Sequence, residues 1–228
     1  MEQPNGMINV LLVDDHAVVR EGYRRLLERT NDIRVMEEAE TGEQAYKILS
    51  TLLPDVVIMD INLPGIGGIE VVRRIVSRFP EQKILMFSMH EDVVFLSRAL
   101  QAGAKGYVTK SSAPEVMVKA VRLVHSGKFF ISDQMAQELA VKSMPGKSEL
   151  IDTLSGKEFE VFRLLVSGNS LHDISAVMNL SYKTIANYQS NIRHKLDVEN
   201  MAQVFQIALN HGVISNTSIQ EKKGDIPD

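Results

Sequence analysis

Asp14, Asp15, Asp60, Ser88 and Lys110 are the residues of this chain best placed to do chemistry. Each directly follows an apolar run: Val10-Leu11-Leu12-Val13, Val56-Val57-Ile58-Met59, Ile84-Leu85-Met86-Phe87 and Gly106-Tyr107-Val108-Thr109. At the carboxyl ends of parallel strands such residues converge on one crevice. Three carboxylates gathered there repel one another unless a cation joins them, and an all-oxygen set suits a hard divalent ion such as Mg²⁺. An aspartate in that setting can attack a phosphoryl group, provided a metal and a cation neutralise the transferring oxygens. In this reading Asp60, at the tip of the central strand, is the nucleophile. Asp14 and Asp15 hold Mg²⁺ with help from Asp60, Lys110 neutralises one phosphoryl oxygen, and the Ser88 hydroxyl donates to another. A plainer reading makes Asp14-Asp15 a helix cap, Asp60 a turn residue before Pro64-Gly65, and Lys110 a solvated surface charge. It suits any one residue taken alone; five at strand ends in one half of the chain favour the first.

The elements that must position them can be read from periodicity. From about residue 7 to residue 125, short apolar runs alternate with segments of helical period, as in repeated βα units around a parallel sheet. Val72, Ile75, Val76 and Phe79 form one apolar stripe, and Met117, Ala120, Val121 and Val124 form another. The first, third and fourth runs are apolar throughout, as expected of strands covered on both faces. Thr41 with Gln44 makes a candidate capping box, and Pro114 suits a first helical position.

Beyond Ser126 the pattern changes. A candidate short helix, Asp133 to Lys142, precedes Met144-Pro145-Gly146-Lys147-Ser148, which reads as a linker. Helices are then predicted at about 156–167, 171–178, 182–195 and 200–210, close enough together to form a compact bundle. Ser155 with Glu158 and Ser170 with Asp173 are start signals, and Gly168 is a stop. The expected organisation is a first domain over 7–126, a linker over 127–150, a helical domain over 151–214 and a polar, disordered tail over 215–228.

Composition narrows the function classes. A formal charge of −4 argues against a protein that coats nucleic acid indiscriminately, although a local basic face is compatible with it. The absence of cysteine removes disulfides, thiolate metal sites and cysteine nucleophiles, and is compatible with a reducing compartment. With no long apolar run and no signal pattern in the polar Met1 to Gly6, a cytoplasmic protein without membrane partners is expected.

Residues 8–125 resemble the receiver domain of bacterial two-component response regulators. The resemblance is carried by Val13-Asp14-Asp15-His16, Asp60-Ile61-Asn62-Leu63-Pro64-Gly65, Phe87-Ser88 and the run from Gly103 through Lys105, Tyr107 and Thr109 to Lys110. It implies a flavodoxin-like fold with five strands, a phosphoacceptor at Asp60, and Mg²⁺ held by Asp15, Asp60 and the backbone carbonyl of Asn62. Asp14 would act at the metal mainly through indirect contacts. It also implies that Tyr107 rotates inward when Ser88 is drawn toward the phosphoryl group. That switch has its own physical logic, since phosphorylation adds close to two negative charges and three strong acceptors beside Ser88 and Lys110.

In the segment 182–196, Ile185, Tyr188, Ile192 and Leu196 share one helix face and should pack inward. Lys183, Asn187, Ser190 and His194 then face outward, flanked by Thr184, Ala186, Asn191, Arg193 and Lys195, and no acidic residue occurs between 181 and 196. Amides and hydroxyls on such a helix meet base edges in a major groove and basic groups meet phosphates, while the preceding helix crosses the backbone as in a helix-turn-helix. Against this, Pro145 to Ser215 holds six Lys or Arg and seven Asp or Glu. That balance is weak electrostatics for binding DNA, and pairing two modules would compensate.

Residues 154–210 resemble the four-helix LuxR/FixJ-type output domain through Leu154-Ser155, Glu158, Leu164-Leu165, Gly168, Ile174, Leu180-Ser181, Lys183-Thr184-Ile185, Asn191-Ile192 and Lys195-Leu196. Departures at Leu171-His172-Asp173, Tyr188 and Met201 remove cations from that pattern. The two resemblances together imply the NarL/FixJ class: a DNA-binding transcriptional regulator, phosphorylated by a sensor histidine kinase, dimeric when phosphorylated, with promoter DNA and RNA polymerase as candidate partners. The receiver would assist its own phosphorylation without being an enzyme toward an independent metabolite. An alternative makes the helical domain a protein-interaction module with little sequence-specific DNA binding. An aspartyl phosphatase is disfavoured, because such enzymes usually place a second acid where this chain has Asn62.

Overall fold

The computed structural model describes residues 6–142 and 150–214, which belong to two compact units that part between Leu139 and Ala140. In the first unit five strands alternate with five helices: β1 (Ile8–Val13), α1 (Ala17–Glu28), β2 (Ile33–Ala39), α2 (Gly42–Leu49), β3 (Val56–Asp60), α3 (Gly68–Arg78), β4 (Lys83–Ser88), α4 (Val93–Ala102), β5 (Gly106–Thr109) and α5 (Pro114–His125). All pairings are parallel, in the order β2-β1-β3-β4-β5. This is the doubly wound flavodoxin-like sheet expected from the sequence. The winding reverses between β1 and β3, so the carboxyl ends of those two strands border the natural ligand crevice.

The apolar strands β1, β3 and β4 occupy the middle of the sheet, while β2 lies at an edge and alternates between buried and open positions. On one face Val10, Leu12, Ile58, Leu85 and Phe87 pack with Leu27 of α1 and with Met117, Val121 and Val124 of α5. Leu11, Val57, Met59, Ile84 and Met86, which point the other way, are also fully buried. The second face is therefore covered too, and there α2, α3 and α4 pack consecutively. Each such side chain contributes about 1.5–3 kcal/mol on burial. Pro114 opens α5 at its first position. Thr41 accepts from the Gln44 N–H at 3.2 Å, but the Gln44 side chain reaches the N–H of Glu40 instead of Thr41, so the expected capping box closes one residue early.

After α5 the chain does not leave the domain at once. Phe130 forms a bridge to Gly106 at the β5 edge, with the Tyr107 N–H donating to the Phe130 carbonyl at 2.8 Å. The stretch from 127, expected as linker, thus contributes to the first unit, because β5 would otherwise leave its outer N–H groups without partners. Helix α6 (Asp133–Lys142) follows and buries Met135. The core of the expected linker, 143–149, and the expected tail, 215–228, lie outside the described residues.

In the second unit a short 3-10 turn (Leu150–Thr153) leads into α7 (Gly156–Val166), α8 (Leu171–Met178), α9 (Tyr182–Lys195) and α10 (Met201–Asn210). Both expected start signals are full capping boxes, Ser155 with Glu158 and Ser170 with Asp173. Gly168 ends α7 at φ 83° and Asn179 ends α8 at φ 54°, so the turn between α8 and α9 begins on a left-handed residue. Ile151, Phe162, Ile174, Ile185, Ile192, Leu196, Val204 and Ala208 form the interior. Val204 and Ala208 are therefore core, and Ile207 is half-buried.

Candidate functional site

The sheet brings all five opening residues together at one end. Asp14, Asp60 and Ser88 are buried, while the Asp15 side chain retains a third of its exposure and stands at the mouth. Lys110 reaches between the two buried carboxylates, its Nζ 2.6 Å from Asp14 Oδ2 and 2.8 Å from Asp60 Oδ2. The Lys110 N–H donates to the Ser88 carbonyl at 2.7 Å, which fixes the root of the lysine to the end of β4. The Asn62 N–H donates to Asp60 Oδ1 at 3.2 Å, folding the loop after β3 over the carboxylate. Gly68, at the start of α3, makes this approach feasible: a Cβ there would stand 1.9 Å from the Asp60 carbonyl oxygen.

Charge is held under tension here. Burial pushes the Asp60 carboxyl above its ordinary range, with the Lys110 ammonium working against the shift. Burial works to lower the Lys110 pKa, and the Asp60 and Asp14 carboxylates more than offset it, so the net direction is upward. A second cation would relieve the remaining negative charge. Ligand atoms of Asp14, Asp15, His16 and Asp60 all come within 4.8 Å of one another. Three carboxylates in that space fit a hard divalent ion.

Tyr107 is fully buried, its ring already in the interior, and its hydroxyl donates to the His90 carbonyl at 2.8 Å. Burial pushes the phenol far above its ordinary range, so it stays a neutral donor, and the nearby Ser88 hydroxyl opposes the shift. The His90 N–H donates to Ser88 Oγ at 3.0 Å, leaving that hydroxyl's own proton to be donated elsewhere. The His90 ring stacks on Phe95 at 3.9 Å and lies 3.1 Å from Asn62 Oδ1. His90 therefore joins the Asp60 loop, Ser88 and Tyr107, and sequence reasoning passed over it; its position two residues after Ser88 was the available signal. Arg20 was also missed. It reads as a surface arginine, yet it is buried and donates to the Asp14 carbonyl at 2.6 Å, to Glu38 at 3.1 Å and to Glu40 at 2.6 Å, clamping the loop after β1.

On α9, Ile185, Ile192 and Leu196 are buried and Tyr188 is half-buried, as the periodicity predicts. Lys183, Asn187, Ser190, Asn191, Arg193 and His194 are exposed, and Thr184, Ala186 and Lys195 are half-buried. Two of these basic residues have partners inside the domain. Lys195 Nζ lies 2.7 Å from Glu158 Oε2 and 3.2 Å from the Thr153 carbonyl, and Arg193 donates to the Glu199 carbonyl.

Residues 10–122 match the family described as response regulator receiver domain, and residues 152–208 match bacterial regulatory proteins, luxR family. The chain is 38% identical over 218 residues to the response regulator UvrY of Escherichia coli K12, covering 95% of this chain and 100% of that one. To the response regulator GacA of Pseudomonas aeruginosa it is 37% identical over 214 residues, covering 93% and 100%. A solved structure of RcsB from Salmonella enterica serovar Typhimurium, bound to promoter P1flhDC in the presence of phosphomimetic BeF3-, superposes with a TM-score of 0.73 at 29% identity, covering 91% of this chain and 100% of that one. A buried acidic crevice with its lysine, a helix-turn-helix bundle and full-length relatives converge: the chain belongs to the NarL/FixJ class of response regulators, in which a receiver domain is joined to a LuxR-type DNA-binding domain.

Proposed function

We propose that Asp60 accepts a phosphoryl group from a sensor histidine kinase or a small phosphodonor, and that the phosphorylated protein acts in the cytoplasm as a homodimer on promoter DNA, with RNA polymerase as a further partner. The observation that carries the first step is the Lys110 ammonium seated between two buried carboxylates at the point where the winding of the sheet reverses. In this reading an Asp60 carboxylate oxygen bonds to phosphorus while the bond from phosphorus to the donor breaks, its electron pair leaving with the departing group. Lys110 shifts from Asp60 to a phosphoryl oxygen, and the Ser88 hydroxyl donates to another. Asp14, Asp15, Asp60 and the backbone carbonyl of Asn62 would hold Mg²⁺, which when bound would neutralise charge on the transferring oxygens. Movement of Ser88 carries the His90 backbone with it, and the Tyr107 hydroxyl follows because it is bonded to that backbone. Among the described residues, no helix is long and apolar enough to cross a membrane.

On DNA, Asn187, Ser190, Asn191 and Ala186 are assigned to base edges, and Lys183, Thr184, Arg193 and His194 to phosphates. Lys195 stays in the set only if it releases Glu158. The promoter complex of RcsB supports this mode of action. Labelling with a radioactive acyl phosphate in Mg²⁺ tests the first step: the wild type takes up label, and Asp60→Ala and a chelated sample do not. Undiminished label in Asp60→Ala overturns the assignment. Capture of genomic fragments at low salt, with and without phosphodonor, tests the second; retention without sequence preference overturns specific recognition.

A further inference from the structure

The first residue of α9, Tyr182, exposes nearly half of its surface, which is unusual for a large ring in a domain with a closed core. It is not part of that core, because the inward positions of α9 are Ile185, Ile192 and Leu196. Its ring packs instead on His172, the second residue of α8, with centroids 4.7 Å apart and planes inclined by 36°. The pair therefore ties together the starts of the two helices that form the helix-turn-helix. In such a motif the first helix crosses the DNA backbone and the start of the second enters the major groove, so a step joining these two points lies where a strand passes. Lys183, exposed, is the adjacent residue. The nearest carboxylate in sequence, Asp173, accepts from the Ser170 N–H at 3.1 Å and from its hydroxyl at 2.6 Å, which occupies it in the helix cap.

We infer that His172 and Tyr182 form a phosphate-binding step in the DNA interface, the phenol and an imidazole N–H donating to backbone oxygens. This rests on DNA binding by the second unit and adds contacts outside the α9 residues already assigned. Three observations favour phosphate over base edges as the target. Tyr182 precedes by a turn or more Ala186, Asn187, Ser190 and Asn191, the α9 residues assigned to base edges, and His172 lies on α8, the helix that crosses the backbone. Both offer donors, the chemistry that a phosphate oxygen requires. And the domain is short of cations: six Lys or Arg stand against seven Asp or Glu from Pro145 to Ser215, and three of the six, Arg163, Arg193 and Lys195, are bonded within the domain. Because the rings already rest on each other, little side-chain freedom remains to be lost on binding.

The test uses the full-length protein with phosphodonor, one fragment selected by its own binding and a pool of random fragments of equal length. Tyr182→Phe removes only the hydroxyl, His172→Ala removes the ring, and His172→Lys supplies a permanent cation. Circular dichroism confirms that each variant folds. Tyr182→Phe and His172→Ala are each expected to weaken binding about three- to tenfold, the loss of one hydrogen bond, by the same factor for the selected fragment and the pool. His172→Lys is expected to restore affinity and to raise the salt slope by about 1. Unchanged affinity in both of the first two variants overturns the inference, as does a loss confined to the selected fragment, which would mean a base contact. Failure of the wild type to bind any fragment overturns the inference together with DNA binding itself, whereas wild-type binding with indifferent variants removes only the inference.

Discussion

The end of the sheet and the outward face of α9 both carry polar side chains, held by opposite physical means. In the receiver the groups are buried and already paired: Lys110 lies within 2.8 Å of two carboxylates, and Asp60 is held out of water against its own preference. On the outward face of α9 the polar side chains of Lys183, Asn187, Ser190, Asn191 and His194 are exposed. The first arrangement stores free energy in the folded protein and releases it when charge arrives, which suits a switch. The second defers nearly all of its interaction energy until a partner is present, so its affinity depends on salt and on pairing of modules. The contrast is open to direct tests, because removing a group from a buried cluster should cost stability as well as function, and removing one from an open face should cost function alone.

The largest effect is expected for Lys110→Ala. It leaves two buried carboxylates without their cation, a loss of about 3–5 kcal/mol, and it removes the neutralising charge from phosphotransfer, slowing labelling by about 10²–10³. Chemical denaturation and acyl phosphate labelling measure the two; a variant as stable as wild type would show that the site holds little stored charge. Gly68→Ala comes next. Its Cβ would meet the Asp60 carbonyl oxygen at 1.9 Å, so α3 or the end of β3 must shift. A stability loss of about 1–3 kcal/mol is expected, together with slower labelling although no reacting group is altered. Normal labelling would mean that Asp60 tolerates displacement.

Asp60→Asn should behave in the opposite sense. A carboxyl whose folded pKa is raised above its unfolded value binds its proton more tightly in the folded state, so its contribution to stability is full below the unfolded pKa and is lost as pH rises through the folded one. Without divalent metal, Asp60→Asn is therefore expected to be more stable than wild type by a margin that widens as pH rises above the ordinary carboxylate range. Mg²⁺ should close the margin by binding the wild type preferentially. Thermal melts across pH with and without Mg²⁺ decide it, and a margin that narrows with rising pH would reverse the assigned sign.

The sequence was most legible where one rule governs a whole element. Apolar runs leading into Asp14, Asp60, Ser88 and Lys110 made a parallel sheet readable and put those four residues at one end of it, where the structure has them. The α9 stripe and the two capping boxes were readable for a similar reason, each being a local hydrogen-bond or packing rule. What escaped were residues whose role depends on contacts distant in sequence. Arg20 reads as one more charged residue on an amphipathic helix until Glu38 and Glu40 come up beside it. Gly68 has no signal except the carbonyl that passes over it, and the end of the first domain was set too early because only the folded β5 edge shows why Phe130 returns to it.

Lys195 joins the two sides of the comparison, because by sequence it is expected on the DNA face and by geometry it is paired within the bundle. Its ammonium and the capping Ser155 hold Glu158 below the ordinary carboxylate range against the effect of burial. The ion pair is part exposed on the lysine side, so Lys195→Gln should cost no more than about 1 kcal/mol of stability. If the lysine stays with Glu158 in the complex, the substitution leaves the salt slope of DNA binding as it was, whereas Lys183→Ala lowers that slope by about 1. Equal drops in slope for the two variants would mean that DNA draws Lys195 out of the bundle, and the boundary between the stored and the deferred interactions would then run through α9 itself.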